Sequence, residues 1–180
     1  MYYIKDTGYV IKRSNTQEAD KYVTILTQNN GKIDVLAKGI RKLASKRAPQ
    51  LELLNKISFQ AIAKNPTARF VLTEVKLIKN YTALKTSLDQ MRVLFTICEL
   101  VSVLCPHGER QEKIFSLIDK TLDNLITQEY SFVIQSFQIN LLSALGYWDA
   151  RHTFIDAADV QNFTESIMER KIKSSEFFKG

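Results

Sequence analysis

Lys21-Tyr22-Val23-Thr24-Ile25-Leu26-Thr27-Gln28-Asn29-Asn30-Gly31-Lys32-Ile33-Asp34-Val35-Leu36-Ala37 is the stretch that decides the fold. Tyr22, Thr24 and Leu26 alternate with Val23, Ile25 and Thr27, and beyond Gly31 the residues Ile33, Val35 and Ala37 alternate with Asp34 and Leu36. A period of two in β-branched residues is the mark of a strand with one buried face. An Asn-Gly pair between two such runs is a strong hairpin signal, because it supplies the positive φ of a tight turn.

Outward from this hairpin the same period recurs. Ile57, Phe59, Ala61 and Ala63 alternate with Lys56, Ser58, Gln60 and Lys64. After the loop Asn65-Pro66-Thr67, the residues Val71, Thr73, Val75 and Leu77 alternate with Leu72, Glu74 and Lys76. The short run Tyr9-Val10-Ile11-Lys12 supplies one more strand at the front. Five short antiparallel strands in this length predict a small, partly open Greek-key barrel of the OB type. The pattern alone also admits an SH3-like barrel or an open sheet.

From Tyr81 the period changes. Leu84, Leu88, Met91, Phe95, Cys98, Val101 and Cys105 fall three or four apart, which predicts one apolar stripe on a helix of about six turns. Pro106-His107-Gly108 stops it. A second helix carries Ile114, Ile118, Leu122 and Leu125. The third is apolar on more than one side, with Tyr130, Val133, Phe137, Leu141 and Leu145 on one face and Ile139 and Leu142 on another, and Gly146 is placed to end it. A last amphipathic piece runs from Val160 to Lys173. The fold class is therefore α+β, with a barrel over residues 1–80 and a helical domain over 81–180.

Charge divides along the same line. Residues 1–80 carry a net charge of +9 and residues 81–180 a net of −3, for +6 over the 180 residues. A basic module joined to an acidic one points to different partners for the two, and a positive field attracts polyanions. The composition, 45% hydrophobic and 24% charged, is that of a globular chain. No apolar run approaches the ~20 residues of a membrane helix, and Met1-Tyr2-Tyr3-Ile4-Lys5-Asp6 does not read as a signal peptide. Two cysteines build neither a disulfide framework nor a four-ligand zinc site, so a reducing cytoplasm is the expected compartment.

Catalytic patterns are missing. There is no Gly-rich phosphate loop, no paired His on a helix and no Gly-x-Ser-x-Gly. His107 and His152 read as solvated surface, and Cys98 and Cys105 as small hydrophobes on a helix stripe. The expectation is a protein that is not an enzyme and needs no cofactor or metal.

What chemistry there is lies in Lys38-Gly39-Ile40-Arg41-Lys42-Leu43-Ala44-Ser45-Lys46-Arg47. Lys38, Arg41, Lys42, Lys46 and Arg47 crowd this loop with no acidic residue among them. Surface cations at that density replace the counterions condensed on a nucleic-acid backbone. Lys12 and Arg13, at the end of the first strand, extend the patch. Tyr9, Tyr22, Phe59, Phe70 and Tyr81 lie in or beside the strands, where alternation buries about half of all side chains, so none is singled out as a base-stacking platform.

These residues also carry a resemblance. Gln17-Glu18-Ala19-Asp20-Lys21 leading into Val23-Thr24-Ile25-Leu26-Thr27, then Gly31-Lys32 and Ala37-Lys38-Gly39-Ile40-Arg41-Lys42, resemble the bacterial recombination mediator family RecO. Leu141-Leu142-Ser143-Ala144-Leu145-Gly146-Tyr147 looks like the segment that closes a helix in that family. The similarity covers most of residues 5–147 in order and spacing.

The resemblance implies an N-terminal OB-fold followed by a helical domain, and a non-enzymatic protein that binds single- and double-stranded DNA and anneals complementary strands. It further implies work with RecR to load recombinase on gaps coated by single-strand-binding protein (SSB), contact with the acidic C-terminal tail of SSB through the helical part, and a cytoplasmic, nucleoid-associated place. For that tail, Arg92, Arg110, Lys113 and Lys120 are the candidate rim cations. There is one departure. Many members carry a four-cysteine zinc site soon after the Leu-Gly-Tyr segment, whereas Trp148-Asp149-Ala150-Arg151-His152-Thr153-Phe154 holds no cysteine and none follows to Gly180. The reading is of a short form without the module. Its rivals are a generic single-strand or RNA-binding OB protein and a protein-interaction scaffold.

Overall fold

A computed structural model describes residues 1–16, 19–42, 45–65, 67–148, 153–154 and 156–176. Gln17 and Glu18 of the family-like segment, Leu43 and Ala44 of the basic loop, Pro66, residues 149–152, Ile155, and the chain beyond Glu176 lie outside the described residues. The described residues gather into two units. One is Met1–Tyr81 together with Pro106–Glu112; the other is Thr82–Cys105 and the chain from Lys113 onward.

In the first unit, β1 (Tyr2–Asn15), β2 (Lys21–Thr27), β3 (Lys32–Ala37), β4 (Lys56–Ala63) and β5 (Phe70–Lys79) close a barrel in the order β1-β2-β3-β5-β4. Neighbours pair antiparallel except β3 with β5, which run parallel through Val35 opposite Phe70 and Leu36 opposite Val71. This is the expected OB-type α+β arrangement, save that β3 and β5 run parallel where the strand pattern pointed to antiparallel pairs alone. Alternation builds its interior: Val10, Val23, Ile25, Val35, Ala37, Ile57, Phe59, Ala61 and Leu72 form one core cluster. Each buried Val, Ile or Phe is worth about 1.5–3 kcal/mol over leaving it in water.

Two details differ from expectation. β1 has 14 residues and not four, because its first half pairs with β4 and its second half with β2, with a register shift between Val10 and Lys12. The β2–β3 turn is also wider than a two-residue one. Leu26 opposite Lys32 is its last pair, and the Thr27 amide donates to the Gly31 carbonyl at 2.8 Å. The buried Asp6 carboxylate holds this loop, accepting from the Asn29 amide (3.1 Å) and from the Asn29 and Asn30 side-chain amides (2.8 and 2.7 Å). Gly31 sits at φ +69°, and a Cβ there would lie 2.1 Å from the Glu109 carbonyl oxygen. Segment 106–112 closes on the hairpin this tightly because Gly31 has no side chain; the Gly108 amide donates to the Lys32 carbonyl at 3.0 Å.

The second unit holds α1 (Leu88–Leu104), α2 (Glu112–Asn124, all but its first residue), α3 (Tyr130–Ala144), α4 (Ala157–Met168) and the short α5 (Lys173–Glu176). The helix expected from Leu84 begins instead at Leu88, after a separate 3₁₀ turn at Thr82–Lys85. Its buried face is also rotated from the expected stripe. Leu88 and Phe95 are exposed, while Val93, Leu94, Ile97, Leu100 and Leu104 join the expected Cys98, Val101 and Cys105 inside. Ile114, Phe115, Ile118 and Leu122 fill the inner face of α2, and Val133, Phe137, Leu141 and Leu142 that of α3. The piece expected from Val160 to Lys173 breaks at Met168, where Glu169 turns left-handed at φ 55°. Beyond the break, carboxylates anchor the chain. Glu165 accepts from Lys171 Nζ (2.7 Å) and the Ile172 amide (3.1 Å), and Glu99 from the Lys173 and Ser174 amides (3.1 and 2.8 Å). No described helix is long and apolar enough to cross a membrane.

Candidate nucleic-acid interface

The basic loop belongs to the connection between β3 and β4, whose apolar residues fix it from within. Ile40 and Leu51 are buried in the barrel core, with Ala48 packed against it. The 3₁₀ turn Ala48–Leu51 is braced by Asn55, which donates from Nδ2 to the carbonyls of Pro49 and Gln50. With the apolar side chains pointing in, Arg41, Lys42 and Lys46 are left exposed to solvent.

Contacts with the β1–β2 connection set the loop's outer course. The Gly39 amide donates to Asp20 Oδ1 at 2.7 Å and the Arg41 amide to the Ala19 carbonyl at 3.0 Å. Arg47 closes the loop on itself, donating from Nη2 to the Lys38 carbonyl at 2.7 Å.

Two adjoining hollows result. The wider, about 750 Å³, is lined by Ala19, Asp20, Lys38, Gly39, Lys42, Ser45, Lys46 and Arg47. The other, about 430 Å³, is lined among others by Arg13, Lys21, Ile40, Arg41, Lys42, Leu51 and Glu52. Lys42 and Ser45 line both, so the two hollows adjoin along a groove.

Of the residues singled out from the sequence, this groove collects Arg13, Lys38, Arg41, Lys42, Lys46 and Arg47. Lys12 is exposed on β1 and does not line it. Arg13 lies in the groove with its charge partly spent, since Nη1 meets Glu52 Oε1 at 2.6 Å. Lys21 is a groove cation that sequence reasoning passed over; its place at the start of β2, opposite Ala37, was the available signal. Seven cations thus line the two hollows beside two carboxylates, Asp20 and Glu52, a field suited to a chain of phosphates.

The aromatic residues separate. Tyr9, Phe59 and Tyr81 are buried, and Phe70 is half-buried and packs on the core. Tyr22 is half-buried on β2, with the Arg69 guanidinium 4.5 Å from its ring centre. Among the described residues no group of three or more His, Cys, Asp or Glu is placed to hold a metal ion.

An OB-type barrel with a cationic groove at the β3–β4 connection, followed by a helical unit, is the class this chain falls in. The chain belongs to the recombination protein O family: residues 1–81 match the model of the family's N-terminal part and residues 85–148 that of its C-terminal part. It is 29% identical to the DNA repair protein RecO of Symbiobacterium thermophilum over 142 residues, which are 78% of this chain and 55% of that one. It is 28% identical to that of Acetivibrio thermocellus over 149 residues (82% and 59%), and 31% identical to that of a Roseiflexus species over 140 residues (77% and 48%). The chain spans about half the length of these curated relatives. Among solved structures, a chain of the S. pombe Stn1-ten1 complex is similar at a TM-score of 0.34 and 14% identity, over 53% of this chain and 75% of that one.

Proposed function

We propose that this chain is a non-enzymatic DNA-binding recombination mediator, which anneals complementary strands and helps load recombinase on SSB-coated single-stranded DNA. The observation that carries the reading is the groove, where cations gathered from β1, β2 and the β3–β4 connection line two adjoining hollows. The names of its relatives, DNA repair protein RecO, support the setting. In this reading Lys38, Arg41, Lys42, Lys46 and Arg47 hold phosphates, with Lys21 and Arg13 beside them and Lys12 at the periphery. Phosphate contacts position a strand without reading its bases, so single- and double-stranded DNA both bind. Residues 1–80 are the DNA module and residues 81–180 the partner module. RecR and the acidic tail of SSB are the protein partners, the tail meeting the helical unit. There Lys113 and Lys120 are exposed on α2, as are the apolar Ile126 and Phe132 beyond it. The protein works in the cytoplasm at the nucleoid.

The test is an annealing assay on complementary strands with and without SSB. The proposal expects faster annealing in both cases. Salt-dependent DNA binding without annealing of coated strands points to a generic single-strand-binding OB protein. No salt-dependent binding points to an interaction scaffold.

A further inference from the structure

We infer that the outer face of β1, β4 and β5 is a second DNA strand site, so that one chain holds two strands at once. This rests on the DNA-binding reading of the groove and adds what annealing needs, a place for the second strand. Ile57, Phe59 and Ala61 of β4 are buried in the barrel core, so Lys56, Ser58 and Gln60 face outward. Register sets Lys5 of β1 opposite Gln60, Lys76 of β5 opposite Ser58, and Lys79 of β5 opposite Lys56. Lys5, Lys76 and Lys79 are exposed and Lys56 is half-buried. Among the described residues that these strands turn outward, Glu74, opposite Gln60, is the one carboxylate.

The most specific feature is the pairing of Lys56 with Lys79. Like charges directly opposite one another on neighbouring strands cost stability. Here both are held side by side over aromatic rings. Lys56 Nζ lies 5.5 Å from the centre of the Tyr9 ring and Lys79 Nζ 4.9 Å from that of Tyr81, and the two phenol oxygens are 3.5 Å apart. The rings offset part of the repulsion, and a phosphate set between the two ammonium groups would offset the rest.

From this pair the lysines climb the face, with Lys76 one row along and Lys5 one row further, about 13 Å from the row of Lys56 at ~3.3 Å per residue. Beyond Lys5 stands Tyr3, its ring half in solvent and its hydroxyl donating to Gln60 Oε1 at 2.5 Å. Cations in file beside an open ring suit a single strand, which lays phosphates on the one and a base on the other, and this favours nucleic acid over an acidic peptide. No residue that lines the groove belongs to β4, β5 or the first half of β1, so the two sites share no side chain. Nor is this the β2–β3 face on which OB barrels take oligonucleotides.

The experiment uses the full chain with short oligothymidylates, which cannot anneal to one another. Native mass spectrometry counts chains and strands in each complex, and fluorescence anisotropy gives the salt slope of each binding step. The wild type is expected to carry two strands on a single chain. Lys5→Gln combined with Lys76→Gln is expected to leave the first step within about 2-fold and to flatten the slope of the second by about 1.4, two contacts at ~0.7 each. Annealing of complementary strands should slow with it. Glu74→Gln, which takes the carboxylate off the same face, is expected to tighten the second step, a gain that misfolding cannot give. One strand per chain in the wild type, or a second step unchanged in both variants, overturns the site while the groove stands. A first step weakened as much as the second overturns it too, because face and groove are then one track. If the wild type binds no strand, the groove reading falls and the second site with it.

Discussion

Replacing Arg41, Lys42 and Lys46 together with Ala removes three of the four exposed cations of the groove loop and leaves Lys38. Arg47 is left in place because its guanidinium holds the Lys38 carbonyl and with it the loop's course. Each phosphate contact contributes ~0.7 to the log–log salt slope for single strands and ~0.9 for duplex. Three lost contacts should therefore flatten the slope by about 2 and about 2.7 respectively. Between 50 and 200 mM salt, a slope change of about 2 is close to a 20-fold difference in how far affinity falls. The fold should be untouched, since exposed substitutions usually stay within about 0.5 kcal/mol. Fluorescence anisotropy over a salt series, beside a denaturant titration, reads both quantities. A folded triple variant with wild-type affinity and slope would mean that the loop is only a solvated basic face.

Three further outcomes follow from particular contacts. Glu52→Gln should act in the opposite sense to the loop variants, because it releases Arg13 from its 2.6 Å ion pair and takes a carboxylate off the groove; DNA affinity should rise and the single-strand slope steepen by up to ~0.7, and weaker binding would contradict this. Gly31→Ala should destabilise the barrel unit by about 2 kcal/mol or more, from positive φ plus the collision with Glu109. Gly146→Ala, also at positive φ but with open space around it, should cost less, and equal losses in denaturant titrations would refute the packing argument. At Glu165, burial pushes the carboxyl up, but the bonds from Lys171, Gln161 and the Ile172 amide outweigh it and hold the pKa below the usual carboxylate range. A lowered folded pKa gives stability that is present above the ordinary carboxylate value and lost as pH falls through the lowered one. Glu165→Gln should thus destabilise the helical unit at pH 7 and narrow its gap from wild type in acid, as melting at several pH values would show.

The barrel was legible where β-branched and aromatic residues recur with a period of two, even in β2, whose Thr24 and Leu26 are buried on the second face as well. β2, β3, β4 and β5 announce themselves through Val23 and Ile25, Ile33 and Val35, Ile57 and Phe59, and Leu72 beside Thr73 and Glu74. The first half of β1 was not, because Tyr2 and Tyr3 are exposed while the polar Asp6 turns in to hold the hairpin loop. In α1 nearly every face carries apolar residues, so spacing alone did not tell the buried set from Leu88 and Phe95. The end of α4 escaped for want of a glycine: Glu169 takes the left-handed cap that a glycine would have advertised. At the site, charge density pointed to the loop, but its shape depends on Ile40 and Leu51 as anchors.

The central claim is that DNA lies in the groove between the β1–β2 connection and the loop that follows β3. Amide hydrogen exchange of the full chain, with and without a saturating single-stranded oligonucleotide, tests it most directly. The account predicts slowed exchange at residues 19–22, 38–42 and 45–47, with little change in α2 to α4. Protection confined to the helices, with the groove segments exchanging as in the free protein, would contradict it.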